Sequence, residues 1–174
     1  MHFLNAILTI ALAYSSFSQQ VPGYEWNKKS TFTTERQVEF PGMVLEPGVY
    51  IVRLQDSNEH KSVVEILNRD ETQLLATVIA VPDHHQRPDD NSEFSFHAVK
   101  KGPVPVQTWY FSGDLVGLEF VYPKGRAKEI ARDSDGHVMA TNGIKDGALF
   151  AVTPNGKEVL LEVPLTQTAR TKPQ

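Results

Sequence analysis

The chain has 174 residues, 17 Lys plus Arg against 21 Asp plus Glu, a formal charge of −4 at neutral pH and no cysteine. This excludes a disulfide-stapled scaffold, a thiol nucleophile and lipidation at a processed N-terminal cysteine. The charge is modest and the lysines and arginines are scattered rather than striped, which leaves no electrostatic footprint for nucleic acid or for an anionic membrane surface.

Residues 1–18 read as an export signal. The apolar run Ala6 to Tyr14 follows Met1-His2-Phe3-Leu4 and gives way to small residues, with Ser16 and Ser18 where a cleavage site would want them. The run lies within the roughly 7–15 residues of a signal core and falls short of the roughly 20 that a membrane-spanning helix needs. Positive charge at this end comes only from the α-amino group and His2. The expectation is an exported chain, periplasmic or extracellular, beginning near Gln19, with no integral membrane segment once the signal is removed. About 156 residues then remain, near the usual size of one domain and enough to bury around 70% of the unfolded surface. Gln19 to Ser30 is polar, contains Pro22-Gly23 and lacks apolar periodicity, so it reads as a flexible lead. One domain is expected over 31–165, with a disordered tail over 166–174.

Within that domain short strand-like runs alternate with turn residues. Arg36 to Phe40, Met43 to Leu45 and Val49 to Gln55 are separated by Pro41-Gly42 and Pro47-Gly48, pairs whose fixed φ followed by φ > 0 suits type II turns. Tyr50, Val52 and Leu54 share one face and Arg53 takes the other. Loops at Asp56 to Glu59 and Arg69 to Thr72 lead into Lys61 to Asn68 and Gln73 to Val81, which predicts an antiparallel meander. The last of these strands is apolar on both faces and is expected to be central. Pro82 to Ser92 interrupts the pattern. Over Glu93 to Val99 the alternation of Phe94, Phe96 and Ala98 with Ser95, His97 and Val99 points His97 to solvent. Thr108 to Phe111 and Leu115 to Tyr122 read as a hairpin through Ser112-Gly113-Asp114. Arg126 to Arg132 is the one helical stretch, with Ala127, Ile130 and Ala131 at i, i+3 and i+4 and Asp133 to Gly136 as its end. A last hairpin joins Ala148 to Val152 with Lys157 to Val163 through Thr153-Pro154-Asn155-Gly156. The fold class implied is all-β and mainly antiparallel: a small β-barrel or β-sandwich with one short helix after the main strands.

Val38 to Tyr50 spells Val-x-Phe-Pro-Gly-x-Val-Leu-x-Pro-Gly-x-Tyr, followed by Ala76 to Pro82, Trp109-Tyr110-Phe111-x-Gly113-Asp114 and Gly117-x-Glu119-Phe120-Val121-Tyr122-Pro123-Lys124. Together these motifs resemble a family of uncharacterised exported bacterial β proteins over roughly residues 33 to 140. The resemblance implies neither a reaction nor a cofactor, so no functional residue is carried over from it. The segment from Gly143 to Val163 lies beyond it.

Two places offer chemistry. Asp83 to Asp90 gathers His84, His85 and carboxylates in one stretch, groups that metal ions favour. Adjacent histidines on an extended chain point apart, however, and no His-x-x-x-His completes a ligand set, so the bland reading is a solvated polar loop with at most an adventitious metal patch. The second place is the Trp109 hairpin. Trp109 with Asp114 and Glu119 could stack on a sugar ring and accept its hydroxyl protons. On a strand, though, Trp109 and Phe111 share a face, so core packing competes for these rings. Glu119, between apolar neighbours, is expected to be partly buried and to need a partner, for which Arg53 and Arg36 are the candidates. No Gly-x-Ser-x-Gly, His-Glu-x-x-His or phosphate-binding glycine loop is present, so no catalytic residue and no cofactor is implied. The sequence therefore favours a non-catalytic binding or structural module of the cell envelope or extracellular space, its partner an envelope polysaccharide or another protein. The competing reading is a small carboxylate-dependent hydrolase acting on such a polysaccharide.

Overall fold

The computed structural model describes residues 28–57, 62–83, 93–112, 114, 116–143 and 148–161. The stretch read as an export signal, most of the expected lead, the tip of the Asp56 to Glu59 loop, the segment with His84 and His85, and the expected C-terminal tail lie outside the described residues. In chain order the strands are β1 (Lys29–Thr34), β2 (Val38–Phe40), β3 (Met43–Leu45), β4 (Gly48–Ser57), β5 (Ser62–Asn68), β6 (Leu74–Asp83), β7 (Phe94–Phe96), β8 (Val104–Trp109), β9 (Gly117–Phe120) and β10 (Tyr122–Pro123). Helix α1 (Lys124–Asp133) follows, then β11 (Val138–Thr141), β12 (Leu149–Val152) and β13 (Glu158–Leu160). Among the described residues a nine-stranded sheet runs in the order β1-β4-β5-β6-β9-β8-β2-β3 with β7 also on β8, and a four-stranded sheet runs β10-β11-β12-β13. The large sheet does not close into a barrel, and the architecture is sandwich-like.

The expected meander is β4-β5-β6, antiparallel throughout. Its alternation is the physical cause of the packing. Val52 and Leu54 enter the core while Arg53 faces out and grips Glu65 directly across the ladder at 2.6 Å. Strand β6 lies between β5 and β9 and buries both faces: Val78 and Ala80 join the main core, whereas Val81 joins a second cluster with Val121, Met139 and Leu149. Each fully buried aliphatic side chain of this kind contributes about 1.5–3 kcal/mol.

The two ends of the large sheet meet through rings rather than through backbone pairing. Phe32 of β1 packs edge-on against Phe94 of β7 with centroids 4.8 Å apart. Phe94 stacks on Trp109 at 6.4 Å, and the Trp109 indole N–H donates to Ser30 Oγ of β1 at 3.0 Å.

Pro123 precedes α1, and Ala127, Ile130 and Ala131 form its buried face, as the sequence spacing requires. The helix starts two residues earlier than the periodicity suggests, at Lys124. It is the crossover between the parallel strands β10 and β11, a connection that needs a helix-sized segment. The expected last hairpin is β12-β13.

Three local expectations are corrected. Gly42 has φ +80° and makes the turn between β2 and β3, but Gly48 does not adopt positive φ; it opens β4, where the Tyr50 ring lies 3.3 Å from the place a Cβ would take. The lead is not wholly a tether, because Lys29 and Ser30 already pair with β4. His97 does not face solvent: it is 4% exposed. The alternation itself holds, since Phe94 and Phe96 both meet Phe32 and the extra residue of the β-bulge in this ladder, Gln107, is on β8. The expectation fails because His97, just past β7, is covered, its ring edge-on to Tyr122.

Candidate functional site: a buried carboxylate and histidine seam

Glu119 lies opposite Val81 on one side and opposite Thr108 on the other. Asp83 lies opposite Gly117. Because strand side chains alternate, Asp83, Glu119 and Thr108 share the sheet face that carries Val81. That face is covered by the small sheet, whose Met139 and Leu149 pack on Val81 and Val121. Two carboxylates are thus enclosed in an apolar seam, Glu119 at 3% and Asp83 at 4% exposure. Burying such groups costs several kcal/mol each unless they are paired.

The pairing is local. Asp83 Oδ2 accepts hydrogen bonds from Thr108 Oγ1 at 3.2 Å and from the Tyr110 hydroxyl at 3.1 Å. Tyr110 reaches Asp83 because position 117 has no side chain: a Cβ there would stand 2.5 Å from the Thr108 methyl and 2.6 Å from the Tyr110 ring. Burial, and then the neighbouring Asp83 charge, push the Tyr110 phenol up to about 12. Glu119 faces His137, whose Nε2 lies 3.6 Å from Oε1. That oxygen has no hydrogen-bond donor among the described residues. His137 is held above the ordinary imidazole range by the Glu119 carboxylate. His97, edge-on to Tyr122 at 6.2 Å, is driven the other way, to about 4, by burial and by the proximity of His137. Its Nε2 also lacks a partner among the described residues.

The residues singled out from sequence are dispersed by the fold. Trp109 pairs with Leu118, so it stands on the face opposite Glu119; it is 1% exposed within the main core and offers no ring to a ligand. Asp114 is bound by Lys28. Glu119 is buried as expected, but its partner is neither Arg53, which pairs with Glu65 and Glu71, nor Arg36. Asp83, first of the supposed metal loop, ends β6 and points into the seam, while His84 and His85 lie outside the described residues. Among the described residues no group of three or more His, Asp or Glu is arranged to hold a metal ion.

No family model, no curated protein and no solved structure matches this chain. The family resemblance of Val38 to Lys124 therefore stands on its motifs alone. The remaining seam residues carried weak signals in sequence. Tyr110 was visible only as part of an aromatic cluster. His137 is a lone histidine in a polar stretch after the helix, and only the β10-α1-β11 crossover brings it to Glu119.

Chemically, the seam joins a half-exposed imidazole to an enclosed carboxylate, the side chain of His137 being 36% exposed and that of Glu119 4%. Such a pair orients and charges the histidine. Asp83 is committed to two hydroxyl donors. No helix among the described residues is long and apolar enough to cross a membrane.

Proposed function

We propose that this chain is an exported, non-catalytic binding or structural module of the cell envelope or extracellular space. The observation that carries this reading is the enclosure of its reactive groups. Asp83, Glu119 and His97 are each at most 4% exposed, whereas a catalytic group has to touch substrate. Contacts with a partner then fall to the outer surface, where Phe96, Val44 and Val116 are exposed apolar side chains. The test is a thermal-shift screen of the full chain against soluble envelope glycans and peptides, with N-terminal sequencing of the secreted product. Ligand-dependent stabilisation that survives Glu119→Gln, and a mature N-terminus near Gln19, are expected. A product that keeps its first eighteen residues would sink the export reading.

The hydrolase reading keeps one supporting observation, the His137 imidazole half-exposed in front of Glu119 at 3.6 Å. It requires polysaccharide turnover that disappears in both Glu119→Gln and His137→Gln while the variants stay folded.

A further inference from the structure

Strand β1 runs into β2 through a turn that one threonine builds. Thr34 Oγ1 accepts the Arg36 N–H at 3.3 Å and donates to the Arg36 carbonyl at 2.7 Å, a local bonding pattern that short hydroxyl side chains favour at turns. On the far side the Val104 N–H donates to the Gln37 carbonyl at 3.1 Å, and the Gln37 side-chain amide donates to Glu46 Oε1 at 2.8 Å. The turn is thus fixed at both ends, with Glu35 and Arg36 exposed between them. Beside it lies a cleft of about 480 Å³, lined by the turn from Thr33 to Arg36 together with Phe32, Val38 and Phe96. Small-ligand sites span roughly 300–1,000 Å³ and combine an apolar lining with a few placed polar groups.

The lining divides into two chemistries. Phe32 and Val38 are buried, while Phe96 is 36% exposed and sets its ring 6.4 Å from that of Phe32 at 40°. One exposed phenylalanine is ordinary on a protein surface; this one stands in a cleft that also carries two charged residues. Neither the Arg36 guanidinium nor the Glu35 carboxylate makes a hydrogen bond or ion pair among the described residues. Nearby on β1 and β4, Lys29 and Arg53 both pair with Glu71, so the freedom of Glu35 and Arg36 is particular to the cleft. Arg36 offers only donors and Glu35 only acceptors, and their charges cancel. A ligand of one sign is drawn by one and repelled by the other. A ligand with an apolar face and a rim of groups that both donate and accept suits all three side chains. We propose that this cleft binds an uncharged sugar residue of a glycan, with one face of the pyranose ring on Phe96 and its hydroxyls bonded to Arg36 and Glu35. The proposal rests on the binding reading above and supplies its site, in place of Trp109, which the fold commits to the core.

Titration calorimetry of the full chain with maltohexaose, cellohexaose and chitohexaose reads the result, with hexagalacturonate as the anionic control and a mixed hexapeptide library as the peptide control. Binding of at least one neutral glycan, tighter than hexagalacturonate, is expected. Arg36→Gln and Glu35→Gln replace exposed side chains without partners, so thermal unfolding should not move while binding weakens roughly tenfold in each. Phe96→Ala should weaken it by roughly three- to tenfold. Because Phe96 also packs on Phe32, Phe96→Tyr serves as its control: it keeps the ring face and should bind as the wild type does. A neutral glycan held equally well by Arg36→Gln, Glu35→Gln and Phe96→Ala overturns the site and leaves the binding reading standing. Binding of hexagalacturonate or of peptides alone does the same. If none of these ligands binds, the site and the binding reading both fall.

Discussion

Trp109 and Glu119 stand on opposite faces of one sheet, the indole in the main core and the carboxylate in the seam beneath the small sheet. No single ligand can touch both. Trp109→Ala should act on stability alone. A fully buried Trp truncated in a packed core costs about 3–5 kcal/mol, and this one also leaves the Ser30 hydroxyl without its donor. Chemical denaturation should show the loss in the midpoint, and a ligand that binds the wild type should still bind the folded fraction.

His97 makes the fold sensitive to acid. Its imidazole ionises near 6.5 when unfolded and near 4 when folded, so the unfolded chain binds the proton more readily. The stability it contributes is complete above about pH 6.5, declines as pH falls, and is gone below about 4, a loss of roughly 3 kcal/mol. His97→Gln should flatten urea midpoints measured between those limits. An unchanged slope would remove His97 as the cause.

His137 works in the opposite sense. The Glu119 carboxylate raises its pKa, so the stabilisation is present below the unfolded imidazole value and fades as pH rises through the folded one. In Glu119→Gln the NMR titration midpoint of His137 should drop. Because His137 can shed its proton to water, this variant should lose no more than about 1–2 kcal/mol, less than the breaking of a fully enclosed pair.

Arg126 holds the helix to β2. Its Nε and Nη2 reach the two carboxylate oxygens of Glu39 at 2.8 and 2.7 Å, and Glu39 is 7% exposed. Arg126→Ala strands that carboxylate and should cost about 3–5 kcal/mol. Arg126→Lys keeps the charge without the fork, and should fall between Ala and wild type in thermal unfolding.

Gly117→Ala should lower stability by about 1–3 kcal/mol through overpacking against Thr108 and Tyr110. Adding Thr108→Ser, which deletes the nearer methyl and keeps the hydroxyl, should recover part of the loss. If the double variant is no better than the single one, the crowding lies elsewhere.

How much of this could be read from the residues follows from the range over which each signal acts. The meander, the central position of β6, the face of α1 and the last hairpin depend on neighbours within one or two elements, and alternation or helical spacing carries that information. The seam depends on register between strands distant in sequence. Nothing near Glu119 in the chain names His137, and Val138 to Thr141 were not recognisable as a strand because four residues after a helix show no alternation of their own. His97 was misplaced because alternation tells one face from the other but not whether the second face is covered by a distant part of the chain, and here it is. Trp109 and Glu119 read as one site only because linear proximity hides sheet parity.

The ring contacts between β1 and β7 have a mechanical consequence. Among the described residues no backbone ladder joins these two strands, so along this line the rims of the large sheet are held by side chains alone. Resistance to parting there comes from Phe32, Phe94 and the Trp109–Ser30 hydrogen bond. The sandwich is therefore fastened along this line by ring packing and one side-chain hydrogen bond, and truncating Phe32 or Phe94 loosens it without removing a single ladder bond.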